Sequence, residues 1–199
     1  MIRILMPAVL LIATQTSLAD SFEAALVQAA MDRTQQEVTY DGSYFTIPYP
    51  NGDVPPHLGV GTDVIIRSYR ALGADLQLLV HEDMSGHFEA YPSRRIWGLT
   101  RPDSNIDHRR VPNLRVFFAR HGQRLPVTDN PRDYAPGDVV SWRLPGNLPH
   151  IGIVTDQRSE TTGHPLVVHN IGTGPKLEDR LFSYNITGHY RYVPPNYSE

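Results

Sequence analysis

The sequence predicts an α+β domain with its helices packed against an antiparallel sheet. Helix-forming patterns fill the first half, short β-branched runs fill the second, and the change falls at Pro136-Gly137.

The chain opens with Met1, Ile2 and Arg3, runs apolar from Ile4 to Ala13, and offers Ser17-Leu18-Ala19 before Asp20. That is the layout of a secretory signal peptide. The apolar run is about ten residues long, against the roughly 20 that a membrane-crossing helix needs. A buried N-terminal helix is the alternative, and Pro7 opposes it. Residues 1–19 are therefore read as a signal peptide and residues 20–199 as one domain, periplasmic or secreted, with no membrane anchor. The remaining chain, about 180 residues, is long enough for a sizeable core.

From Phe22 to Gln36 the chain is rich in helix formers, with Phe22, Leu26, Ala29 and Ala30 on one face, and Asp20 followed by Glu23 suits a helix start. Tyr40 to His57 carries Asp41-Gly42, Tyr49-Pro50-Asn51-Gly52 and Pro55-Pro56, so turns and extended chain are expected. Helices are expected over Thr62–Leu72, closing at Gly73, and over Leu76–Met84, capped by Asp75. Another, over Leu114–His121, begins after Pro112 and stops at Gly122. Ser85 to Arg110 is polar and carries no clear period. Strands are expected at Asp138–Trp142, Ile151–Val154, Leu166–His169 and His189–Val193.

Composition narrows the chemistry. The chain has no cysteine, so an exported form has neither a disulfide nor a lipid-modified thiol. The formal net charge is −3, and Lys176 is the only lysine among 18 basic residues. Arg94-Arg95 and Arg109-Arg110 are the only basic doublets, and neither extends into a patch with interleaved aromatics, so nucleic acid is not an expected partner.

Two histidines stand out. His150 begins one expected strand and His169 ends another, so antiparallel pairing could bring the imidazoles together, one orienting the other as a general base. On the residues alone, two unrelated histidines at strand ends fit as well. His57, Asp63, His81, Glu82, Asp83, His150 and His169 include enough donors for a metal site, but none falls in a tight ligand motif such as His-Glu-x-x-His. His81-Glu82-Asp83 reads as a solvated helix end. Asp107-His108-Arg109-Arg110 is either a buried polar brace or a substrate clamp, in which Arg109 or Arg110 grips a peptide carboxylate.

The run of Pro-Gly-Asp plus apolar strand (Pro136 to Trp142), His-x-Gly-Ile (His150 to Ile153) and a strand ending in His169-Asn170 resembles the core of the NlpC-like papain-fold cell-wall peptidases. The chain is also similar to the exported YijF-like family, a domain of unknown function within that papain-like group. The similar strings include TDVIIRSYRALG (Thr62 to Gly73), DLQLLVHEDM (Asp75 to Met84), NIDHRRVPNL (Asn105 to Leu114) and GHYRY (Gly188 to Tyr192). The resemblance implies a papain-like α+β fold, with His150 as base and His169 as its orienter. It also implies a nucleophilic cysteine at a helix start, where the macrodipole and a histidine favour thiolate.

That place is Gly61, in GVGTDV where the resemblance leads to GVCTDV, so the nucleophile position is vacant. Thr62 is rotated by roughly 100° on the helix and is a poor nucleophile without a strong base. Ser68 lies about 10 Å further along.

The leading expectation is a domain of hydrolase ancestry that acts on or binds a cell-envelope peptide such as the peptidoglycan stem. Its catalytic positions are Gly61, His150 and His169, its ligand contacts Thr62, Asp63, Arg109, Arg110 and Asn170, and it needs no cofactor and no metal. One alternative is an active amidase or peptidase using Thr62 or a metal-bound water. Another is a non-catalytic envelope scaffold.

Overall fold

The structure, a computed structural model, describes residues 21–195 and residue 197. The leader expected over residues 1–19 lies outside them.

The first helix, α1 (Phe22–Arg33), is capped by Ser21, whose hydroxyl accepts the Ala24 N–H at 3.3 Å. Glu23 in its first turn is favourable toward the helix dipole. Helix α2 (Gly61–Ala71) begins at the vacant position and buries Val64, Ile65, Ile66 and Tyr69. Helix α3 (Leu76–His87) is capped by Asp75, whose carboxylate accepts the Gln77 N–H at 3.0 Å. It runs past the expected end at Met84, because Ser85-Gly86 contains no proline and one helical glycine costs only about 1 kcal/mol.

The unassigned stretch holds a 3₁₀ turn (Phe88–Ala90), the short helix α4 (Ser93–Trp97) and a second 3₁₀ turn (Asp107–Arg109). Helix α5 (Val111–His121) starts a turn earlier than its apolar residues suggest. Pro112 lies in that first turn, where a missing N–H costs nothing.

Strands β1 (Thr39–Tyr40) and β2 (Leu58–Gly59) form a small parallel pair that ties the irregular segment after α1 to the chain just before α2. Strands β3 (Gln123–Arg124), β4 (Val139–Leu144), β5 (Leu148–Arg158), β6 (Pro165–His169), β7 (Lys176–Glu178) and β8 (Asn185–Arg191) form an antiparallel sheet in the order β3-β8-β4-β5-β6-β7. His150 therefore sits inside β5, because Leu148 and Pro149 continue the pairing with β4. The α+β class is as expected.

Strand alternation divides the core in two. Val139, Ile151, Ile153 and Val168 face α1, α2, α3 and α5 in the main cluster. Val140, Trp142, Val154 and Val167 face the other way, under Tyr134 and Leu181. Full burial of each such aliphatic side chain is worth about 1.5–3 kcal/mol, so a chain without disulfides is held by these two layers.

Asp138 of the Pro-Gly-Asp motif is a brace between strands. Its carboxylate accepts the Ala135 N–H at 2.8 Å and meets His189 Nε2 at 2.7 Å and Arg191 Nε at 2.8 Å, fixing the start of β4 to the end of β8. No helix among the described residues is long and apolar enough to cross a membrane.

Candidate functional site

The register of the sheet builds the site. Trp142 of β4 pairs with His150 of β5, and Gly152 of β5 pairs with His169 of β6, so alternation puts Trp142, His150 and His169 on one face. His150 Nε2 lies 3.2 Å from His169 Nδ1, with the rings at 79° to one another. Trp142 stacks on His150 at a centroid distance of 5.8 Å, and its indole N–H donates to the Leu181 carbonyl at 2.8 Å.

The glycine of the His-x-Gly-Ile motif has a physical reason. A methyl group at Gly152 would lie 2.8 Å from the Val168 carbonyl oxygen, 3.1 Å from His169 Cβ and 3.2 Å from the Trp142 ring. Only hydrogen leaves room for the indole and the second histidine to pack over β5.

Gly61, at the start of α2, comes against the His150 ring and the chain just after β6. A methyl group there would lie 2.8 Å from His150 Cε1, 3.0 Å from His150 Nδ1 and 3.3 Å from the Asn170 carbonyl oxygen. The Nδ1 edge of His150 thus faces the vacant position and its Nε2 faces His169.

On the far side, His169 Nε2 comes within 3.2 Å of Glu178 Oε2, at ion-pair distance but too poorly aligned for a hydrogen bond. Glu178 is a residue the sequence reading missed. It lies on β7, a three-residue strand with no hydrophobic alternation to mark it.

Burial determines the charge state. His150 is 5 % exposed, and burial, with His169 beside it, pushes its pKa down to about 3. Burial also lowers His169, with Glu178 opposing. Both rings are therefore neutral at pH 7 and one proton sits between them. With the His169 Nε2–H toward Glu178, His169 Nδ1 accepts from the His150 Nε2–H. That leaves the His150 Nδ1 lone pair pointing at Gly61, the tautomer a general base needs.

Of the other candidate contacts, Asn170 joins the group. Its Oδ1 accepts the Gly172 N–H at 2.9 Å, while its Nδ2 is buried without a partner. A cavity of about 310 Å³ with Gly59, Val60 and Asn170 in its wall opens beside the helix start.

Asp63 also lines this cavity, whereas Thr62 and Arg109 do not, and all three are committed to internal bonds. The Thr62 hydroxyl donates to the Arg109 carbonyl at 3.0 Å. Asp63 accepts the Val60 N–H at 2.6 Å, half of a capping box in which Val60 has no side-chain oxygen to return. Arg109 grips Asp63 bidentately, with both bonds at 2.9 Å, and donates to the carbonyls of Ser43 and Asp41 at 3.1 and 3.3 Å. Of the two readings of the Asp-His-Arg-Arg run, Arg109 fits the brace.

Arg110 lies elsewhere, with its guanidinium 3.9 Å from the Trp97 ring centroid. His108 is buried, and its pKa falls to about 4, first through burial and then through Arg109.

Among the described residues no group of three or more His, Asp or Glu side chains converges as a metal site. Asp83, expected at a solvated helix end, is a buried hub. Burial alone would raise its carboxyl, but hydrogen bonds from Arg120, Tyr91 and His121 hold it well below the usual carboxylate range.

A family model described as "Domain of unknown function (DUF1287)" matches residues 27–192. The chain is 51% identical over 168 residues to "Uncharacterized protein YijF" of Escherichia coli (strain K12), covering 84% of this chain and 80% of that protein. Two solved structures from Trichomonas vaginalis align with 84% of this chain. NlpC1 does so with a TM-score of 0.44 and 15% identity, and NlpC2 with a TM-score of 0.43 and 14% identity. The chain spans less than half of either, 44% of NlpC1 and 46% of NlpC2.

Proposed function

The chain belongs to the family described as Domain of unknown function (DUF1287), and from that premise we propose that it is an exported papain-like domain of hydrolase ancestry that binds a cell-envelope peptide such as the peptidoglycan stem without cleaving it. The observation that carries this reading is the His150–His169 pair aimed at the start of α2, where the residue is Gly61. Two buried imidazoles in one hydrogen-bonded line have little structural purpose, because apolar side chains would fill the same space without a desolvation cost. They are explained as the base and orienter of a thiol that the chain no longer carries.

Without a thiolate, nothing offsets the cost of charging His150, so the pair stays neutral and idle. Thr62 does not replace the thiol, because its hydroxyl is committed to the Arg109 carbonyl. The metal-bound water has no ligand set among the described residues.

The test is co-sedimentation of the wild-type protein with purified peptidoglycan, followed by mass spectrometry of the released peptides. Binding with no new peptide ends supports the reading. New ends would replace it with the active amidase.

A second reading, an envelope scaffold, is favoured by the close approach at Gly61, where the His150 ring occupies the space in which a side chain would begin. Absence of any peptidoglycan binding would select it.

A further inference from the structure

A groove of about 1150 Å³ has Trp142 in its walls but neither histidine of the pair. Its walls carry Arg94 and Arg95 of α4, Arg115 and Arg120 of α5, Arg124 of β3 and Arg143 of β4. Glu89 is the one carboxylate among them.

Glu89 takes Arg94 at 2.6 Å, and Asp83 takes Arg120 at 2.7 Å. Arg115 meets only neutral oxygens, the Thr187 carbonyl at 2.6 Å and the Tyr190 hydroxyl at 3.4 Å. Arg95, Arg124 and Arg143 are exposed and make no ion pair among the described residues. Four guanidiniums thus stand without a carboxylate in a chain whose formal net charge is −3. Positive charge is therefore in excess in this groove.

We propose that the groove binds an extended acidic peptide. The uncompensated arginines come from four separate elements, α4, α5, β3 and β4. Planar guanidinium forks take carboxylates bidentately, so several of them in one groove suit a chain of carboxylates. Between them lie Ile96, Trp97, Val116 and Pro149, which offer apolar surface to the intervening side chains. Ile96 is 45 % exposed, a large apolar side chain left open in a charged wall.

Trp142 and Pro149, the residues stacked on and preceding His150, are among the groove's walls. The inference rests on the reading proposed above only for this link to the histidine pair. Binding itself needs no chemistry there.

The experiment is isothermal titration of the full protein at low salt with three probes: hexaglutamate, hexaglutamine and a six-nucleotide oligothymidylate. Hexaglutamate is expected to bind, and to weaken about tenfold or more in the Arg95→Gln/Arg143→Gln variant, which removes two of the charge-assisted contacts. Both residues are exposed, so the variant keeps its fold. Arg158→Gln, at the exposed end of β5 and outside the groove's walls, leaves binding unchanged, and salt at about 0.5 M abolishes most of it.

Equal binding of hexaglutamine, an unaltered affinity in the double variant, or tighter binding of the oligothymidylate would overturn the proposal. Peptidoglycan binding is scored separately. Hexaglutamate binding without it removes the stem-peptide reading alone, and the converse removes the groove.

Discussion

His150 turns its Nδ1–Cε1 edge onto Gly61 so closely that a methyl group there would lie 2.8 Å from Cε1. The imidazole has closed over the place where a nucleophile's side chain would begin.

Gly61→Cys therefore requires a small rotation of the His150 ring, at a stability cost of about 1–3 kcal/mol. The new thiol stands at a helix start beside an imidazole, so its pKa falls and alkylation by iodoacetamide at pH 6 runs at least about tenfold faster than for a free thiol of pKa about 8.5. His150→Ala in that background removes the acceleration. A rate no faster than free thiol would show that the site has decayed beyond its nucleophile.

Gly152→Ala places a methyl group against the Val168 carbonyl and the Trp142 ring, and neither can yield without shifting β6 or the indole. The expected loss is about 2–4 kcal/mol in urea unfolding. Loss of the Trp142 near-ultraviolet signal should accompany it, and a stability within about 0.5 kcal/mol of wild type would refute the packing account of the motif.

Asp63→Asn leaves the buried Arg109 guanidinium without its carboxylate, at a cost of about 3–5 kcal/mol. Arg109→Lys should fare little better, because one ammonium cannot hold a bidentate carboxylate and the carbonyls of Asp41 and Ser43 together. Thermal unfolding of both variants measures this. If Arg109→Lys is as stable as wild type, the fork is not what anchors the segment.

The neutral, buried histidines make the fold sensitive to acid. His150 takes up a proton near pH 6.5 when unfolded but only near about 3 when folded, so between these values the unfolded chain binds the extra proton. Stability is complete above about 6.5 and falls as pH drops through this window, by about 1.4 kcal/mol per pH unit for each such group. His108, with a folded pKa of about 4, adds to the loss in the same direction. Urea titrations at pH 7 and pH 5 should show it, and His150→Phe should flatten the slope. A slope unchanged by His150→Phe would contradict the burial argument.

Much of the site was legible in the sequence because it is local in the chain. A helix over Thr62–Leu72, the Asp75 cap and the strands carrying His150 and His169 follow from short-range patterning, whereas Gly61 as the nucleophile position comes from the family resemblance. What the sequence hid is what only folding brings together. Asp63 and Arg109 stand 46 residues apart, so their pairing left no trace in either motif. Glu178 lies on a strand too short for a period to mark. The arginine groove collects residues from Arg94 to Arg143, so its charge appears in the sequence only as scattered single residues and one doublet. The sequence placed Asp83 at a solvated helix end because Arg120 and His121 come from α5.

Trp142, His150, Gly152 and His169 all belong to one meander, β4-β5-β6, whereas Gly61 arrives from a helix far earlier in the chain. The two imidazoles are separated by only 19 residues. Their meeting closes a short loop and costs little chain entropy, whereas Gly61 reaches them only when α2 packs on the sheet. Amides of the central strand should be among the slowest in the protein to exchange with deuterium, with the turn at Gly61 opening sooner. A chain built this way can change the residue at the helix start without disturbing the strand pairing that brings the two histidines together.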